Sequence, residues 1–284
     1  MITQLMACID GSRQAGAVCD LAGWASLRLS APLTLLHVLD QSQYIHEADF
    51  SGYLGLEGRR ELLQELSRLD ERRSRLAVEQ GKLILAAARE RVLAAGVTRV
   101  ECLQRHGALV DNLAELEQDE RLLVLGAYGE QSSESLARLG SQVEQVVRAL
   151  HQPMLVAQPE FRTPQKAMLA YDGSAGSRRG LALLAQSPLL QGLELHLLLV
   201  GKIDGEHRAL LEEAQALLTQ AGVEAFALVL PGEPELVLPR YQQDNGIDLM
   251  VMGAYGHSRL RRWLLGSTTT AMLRTIRVPL LVLR

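Results

Sequence analysis

Three things are scarce or missing in this 284-residue chain, and each absence removes a class of function. Cysteine is limited to Cys8, Cys19 and Cys102, an odd count confined to the first half. That excludes a paired disulfide framework and offers no metal-knuckle spacing, so the three read as small core residues in a reducing compartment. Basic charge is not in excess: 29 Lys and Arg stand against 33 Asp and Glu, for a net charge of -4 and a pI near 6.0. Nucleic acid is therefore not expected as a partner. No stretch of about 18 consecutive apolar residues occurs, which argues against a membrane-spanning helix, and Asp10 interrupts the start before a secretory leader could form. A cytoplasmic protein is the simplest expectation. Its 48% hydrophobic content over 284 residues suffices for two ordinary domains with a core each.

What the chain does contain is a repeat. Met6-Ala7-Cys8-Ile9-Asp10-Gly11-Ser12 is matched in pattern by Met168-Leu169-Ala170-Tyr171-Asp172-Gly173-Ser174, 162 positions later. Leu122 to Gly129 (LLVLGAYG) is matched by Leu249 to Gly256 (LMVMGAYG), 127 positions later. Gly140-Ser141 returns as Gly266-Ser267, and Pro153-Met154-Leu155-Val156 as Pro279-Leu280-Leu281-Val282. Four blocks in the same order indicate a duplication. The falling offset places about 35 extra residues in the first copy, within roughly 41–80, where Leu62, Leu66, Leu69, Leu76 and Leu83 follow a 4-3 spacing broken by Arg73 and Gln80. That segment is read as a helical extension with a solvated charged face, the alternative being a packing surface for a partner protein.

In each copy short apolar strands alternate with helical segments. The strands are expected at 5–9, 33–39, 100–104, 122–125 and 154–157, then at 167–171, 193–200, 224–230, 249–252 and 280–283. Helical spacing marks 15–29, 82–95, 143–150, 210–221 and 269–276. This rhythm predicts an α/β fold of two open, parallel, five-stranded sheets with helices on both faces. The Pro-rich bridge 159–164 divides a first domain, 1–158, from a second, 165–284. Pro239 falls where the repeat wants a helix, and is expected to kink or end it.

The stretch from Met250 to Thr269 reads MVMGAYGHSRLRRWLLGSTT, a buried strand followed by a glycine loop and a hydroxyl cluster opening a helix. Glycines at 253, 256 and 266 let a backbone approach a ligand closely, and a helix N-terminus favours an anion. The glycines by themselves fit a plain strand-to-helix turn equally well. Asp172 follows the first strand of the same copy, so both features belong at the carboxyl edge of the sheet, where ligands of open parallel sheets sit. A carboxylate there suits a ribose hydroxyl or a base amine, although Asp-Gly-Ser also serves as a turn or helix cap.

Together these residues resemble the universal stress protein family. Asp-Gly-Ser after the first strand, G-x2-G-x9-G-S after the fourth and V-P-x-L-V in the last match it over essentially the whole chain, twice, as in a tandem member. The resemblance implies pairing of the domains through their last strands and a role in stress response or signalling. It also implies ATP, with or without Mg2+, as ligand. Carried onto this sequence, Asp172 and the backbone of Val200 would contact adenine and ribose, with Ala170, Tyr171 and Met252 also at the cofactor site. Gly253 and Gly256 would let the loop approach the phosphates, Gly266, Ser267, Thr268 and Thr269 would bind them, and His257, Arg259, Arg261 and Arg262 add positive charge nearby. With two domains per chain mimicking a dimer, pairing of two chains stays open.

The first copy departs from this pattern. Ten residues, not nine, separate Gly129 from Gly140, the loop carries Glu130 and Glu134 in place of its cations, and Gln142 stands at the Thr268 position. Asp10, Val38, Gly126, Gly129, Gly140 and Ser141 remain as an altered pocket. Two carboxylates beside a triphosphate oppose binding, so nucleotide is expected mainly in the second copy. No G-x4-G-K-[ST] loop, Ser-His-Asp set or H-E-x-x-H pattern is present, so catalysis beyond slow ATP hydrolysis is not expected. His37, His46, Asp49 and His106 follow no metal-binding spacing. An interaction scaffold, with nucleotide in a structural role, is the other reading that fits.

Overall fold

Ten strands form one continuous sheet in the computed structural model, which describes residues 2–39, 56–118, 121–128, 141–253 and 267–283. The first half contributes β1 (Gln4–Cys8), β2 (Leu33–Leu39), β3 (Val100–His106), β4 (Arg121–Gly126) and β5 (Met154–Ala157). The second contributes β6 (Lys166–Ala170), β7 (Glu194–Val200), β8 (Ala225–Leu230), β9 (Leu249–Gly253) and β10 (Leu280–Leu283). All ten lie within a few residues of the apolar runs that announce them. Order across the sheet is β3-β2-β1-β4-β5-β10-β9-β6-β7-β8. The two expected five-stranded parallel sheets are thus fused at their last strands, which run antiparallel with Leu155 opposite Leu281.

The apolar character of each strand follows its place. β5 and β10 at the centre are buried at every position, because helices cover both faces. One layer is packed by α1 (Ala15–Leu29), α2 (Leu56–Ala94), α5 (Ala175–Ala185) and α6 (Gly205–Gln220), against Leu5, Leu35, Val124, Leu155, Leu197 and Val251. The other is packed by α3 (Leu109–Glu115), α4 (Ser141–Ala149), α7 (Pro234–Asp244) and α8 (Ser267–Thr275), against Met6, Leu36, Leu123, Met154, Leu198 and Met250. The halves also touch through side chains. Arg28 on α1 donates to the carbonyl of Leu189 at 3.4 Å, and Arg274 on α8 lies 3.6 Å from Glu144 on α4.

Two expectations about helices need correcting. The helix expected at 82–95 and the helical stretch of the insertion are one element, the 39-residue α2. Its later turns sit on the first half through Gly81, Leu85, Ala88 and Val92. At Gly81 a Cβ would come within 2.4 Å of Gln104 Nε2 and 2.6 Å of His37 Cδ2, so only glycine lets the helix lie this close to β2 and β3. Arg91 then clamps α2 to α1, its guanidinium meeting both oxygens of Asp20 at 2.6 and 2.7 Å. The second concerns Pro239, which does not end its helix. α7 runs through it from Pro234 to Asp244, held by Leu238 and Gln242, which are buried on either side. Proline removes the N–H that would bond the Glu235 carbonyl, but tertiary packing outweighs that loss.

The cysteines also divide. Cys19 is buried and its thiol is pushed up to about 11, mainly by burial, while burial raises Cys8 still further. Cys102, expected in the core, is exposed on the edge strand β3. Because the thiolate is the reactive form, a disulfide reagent at pH 8 should modify one thiol, Cys102, in the native chain and three after denaturation. Mass spectrometry of the labelled peptides checks the assignment.

Candidate functional site

Strand order in the second half reverses between β6 and β9, neighbours with Ala170 opposite Met252. The helices that follow these two strands, α5 and α8, pack on opposite faces of the sheet, the arrangement that leaves a crevice at a strand reversal. Asp172 lies two residues beyond β6, Val200 ends β7 and Gly253 ends β9. The same construction recurs in the first half with Asp10, Val38 and Gly126 at β1, β2 and β4.

Local geometry explains several of these residue types. Asp172 Oδ1 accepts the N–H of Ser174 at 3.0 Å, and Ser174 in turn caps α5 by accepting the N–H of Ser177 at 3.2 Å. The Asp-Gly-Ser turn thus has a structural task while holding an exposed carboxylate at the crevice rim. Gly173, with φ of +69°, makes the turn. At Gly253 a Cβ would lie 3.2 Å from Ser177 N and 3.5 Å from Gly176 C, so the end of β9 presses directly on the first turn of α5. Asp10 repeats the turn, accepting from Ser12 N at 3.1 Å.

The crevice side of the sheet is apolar. Ala170, Val200 and Leu230 are half-buried and Met252 is buried, all in the layer shared with α7 and α8. Such a shelf suits the flat face of a base. Tyr171 points the other way: its side chain is buried in the α5 and α6 layer, where burial raises its hydroxyl above the ordinary range. Only its backbone remains for a ligand. Thr269 is buried too, while Thr268 is half-buried at the N-terminus of α8. Gly256, His257, Gly266, Arg259, Arg261 and Arg262 lie outside the described residues, as do Gly129, Gly140, Glu130 and Glu134. So do His46 and Asp49; His37 is buried, its Nδ1 2.7 Å from the carbonyl of Ile9, and His106 is exposed. Among the described residues no cluster of three or more His, Cys, Asp or Glu could hold a metal ion.

Three side chains at the carboxyl edges of the two halves escape a reading of the motif: Glu235, His207 and Gln14. Thr268 donates its hydroxyl proton to Glu235 Oε1 on α7 at 2.9 Å, which leaves lone pairs on its oxygen. The first half has Val110 and Gln142 at the two positions. His207, on the first turn of α6, would come within 3.0 Å of a Cβ at Gly201, just past Val200, and it lies 2.6 Å from Asp204. The backbone N–H of His207, which donates to Asp204 Oδ1 at 2.9 Å, and then its ring hold the Asp204 carboxyl below its usual range. Gln14 is the third. Buried at the start of α1, its Oε1 accepts the N–H of Tyr128 in the loop after β4 at 3.2 Å. The repeat places Gly176 at this position in the second half. Tyr128 is held again through its hydroxyl, which Arg277 approaches to 3.2 Å. A side chain thus engages the first glycine loop where the second half has backbone alone.

Comparison with known proteins agrees with this architecture. The sequence profile of the universal stress protein family matches residues 1–158 and 202–284. A universal stress protein from Synechocystis is 36% identical over 284 residues, covering 99% of both chains. One from Bacillus subtilis is 25% identical over 145 residues, covering 42% of this chain and 98% of its own. The crystal structure of a universal stress protein from Archaeoglobus fulgidus superposes with a TM-score of 0.73 at 20% identity, covering 99% of this chain and 98% of that one. No described helix is long and apolar enough to cross a membrane. The chain belongs to the universal stress protein family.

Proposed function

We propose that the chain is a tandem universal stress protein that binds an adenine nucleotide, ATP in the first instance, at the carboxyl edge of its second half and acts in stress response or signalling. The observation that carries this reading is the convergence of four features at one edge. The Asp172 carboxylate, the apolar shelf of Ala170 and Val200, the close-packed Gly253 and the N-terminus of α8 stem from adjacent elements around the β6–β9 reversal. Carboxylate and shelf fit the nucleoside, and the glycine loop with its helix N-terminus fits the phosphates. Glu235 and Thr268 offer hard oxygen atoms of the kind Mg2+ prefers in its nucleotide complexes.

The first half is the weaker site in this reading. Its loop carries Glu130 and Glu134, and the Gln14 amide engages the N–H of Tyr128. The domain division at 159–164 and the cytoplasmic location belong to the same proposal.

Thermal melting tests it. ATP at 100 times its Kd should add about 2.7 kcal/mol of stability, and mass spectrometry of the denatured protein should find adenine nucleotide among released small molecules. A melting curve indifferent to ATP, together with no released nucleotide, would overturn the reading.

A further inference from the structure

The stretch of α2 from Glu65 to Leu83 carries a surface that neither the core nor the nucleotide site uses. Leu62, Leu69, Leu76 and Leu83 recur every seven residues, with Leu66, Arg73 and Gln80 at the alternating positions of a 4-3 pattern. Leu69, Leu76 and Leu83 are 42%, 62% and 71% exposed. The contact with the sheet lies on the other side of the helix. Gly81, Leu85, Ala88 and Val92 stand roughly 140–200° around the axis from Leu83 at about 100° per residue. From Glu65 to Leu76 the helix is exposed at every residue except the half-buried Leu66. An isolated helix of that length is marginal in water, so an unpaired leucine seam there calls for a partner.

Charge selects the partner and its direction. In a parallel pair of copies Arg73 would face Arg73 across the seam and Glu65 would flank Asp70, both repulsive. In an antiparallel pair centred between Ser74 and Arg75 the layers become Leu66 beside Leu83, Leu69 beside Gln80 and Arg73 beside Leu76. Arg72 of each copy then flanks Glu79 of the other, twice by symmetry. The exposed ion pairs that Glu79 makes with Lys82 at 2.7 Å, and Asp70 with Arg73 at 4.0 Å, contribute little and can be exchanged. We propose that two copies of this chain associate through α2 as an antiparallel two-helix coiled coil along the Leu66–Leu83 seam.

This proposal stands apart from the nucleotide reading. Sedimentation equilibrium of the full chain, in reductant because Cys102 is exposed, should show a monomer–dimer equilibrium. The double change L76E/L83E should weaken association at least ten-fold while leaving ATP binding and the melting of the sheet unchanged. Arg72→Glu alone should weaken it by several fold, and R72E/E79R should restore it, since the swap recreates the pair only in the antiparallel register. A wild-type chain that stays monomeric into the tens of micromolar would overturn the proposal. So would a dimer indifferent to both leucine changes, or failure of the charge swap to recover what Arg72→Glu loses.

Discussion

Replacing Gly253 with alanine is expected to destabilise the fold by about 2–3 kcal/mol and to remove the stabilisation by ATP. The Cβ at this position would lie 3.2 Å from Ser177 N and 3.4 Å from Ser177 Cα, backbone atoms of α5 that cannot swing aside. Either β9 or α5 must shift, and the shift falls at the strand reversal where the proposed ligand sits. The matching change in the first half has a different obstacle. At Gly126 the nearest atom to a new Cβ is Gln14 Oε1 at 2.9 Å, the far end of a flexible side chain. Gly126→Ala should therefore cost about 1 kcal/mol, the worth of the Gln14–Tyr128 hydrogen bond, and leave ATP stabilisation intact. Chemical denaturation with and without ATP separates the two outcomes. Equal penalties in the two halves would contradict the assigned packing.

The second large effect belongs to the join between the halves. Leu155 and Leu281 are fully buried partners across the antiparallel β5–β10 pair, within a strand pair buried from both sides. Truncating either to alanine should cost about 2–5 kcal/mol, transfer and cavity effects together. Because the join runs through the middle of a continuous core, the loss should appear as one cooperative transition at lower denaturant. Two separate transitions in the wild-type protein would instead mean that the halves unfold independently.

Much of this architecture is legible in the residues. A strand covered on both faces must be apolar throughout, so Leu122–Leu125, Leu249–Met252 and Leu280–Leu283 announce themselves. The repeat then fixes which elements correspond. Less visible is anything that depends on contact between distant segments. Gly253 reads as a ligand-approach glycine, yet its structural reason is the backbone of Ser177, 76 positions earlier in the chain. Gln14 shows no motif, and its grip on Tyr128 exists only because β1 and β4 are neighbours. Glu235 likewise meets Thr268 through the packing of α7 beside α8. Tyr171 was placed at the ligand by its neighbour Asp172, but side chains alternate along a strand and its ring turns into the opposite layer. Pro239 misleads because a local rule yields to the burial of Leu238 and Gln242.

Titration calorimetry of ATP into the full chain tests the proposed asymmetry of nucleotide binding most directly. The account predicts one ATP per chain, lost on Gly256→Val and kept on Gly129→Val. Two equivalent sites, no heat of binding, or loss on the Gly129 change with retention on the Gly256 change would contradict it.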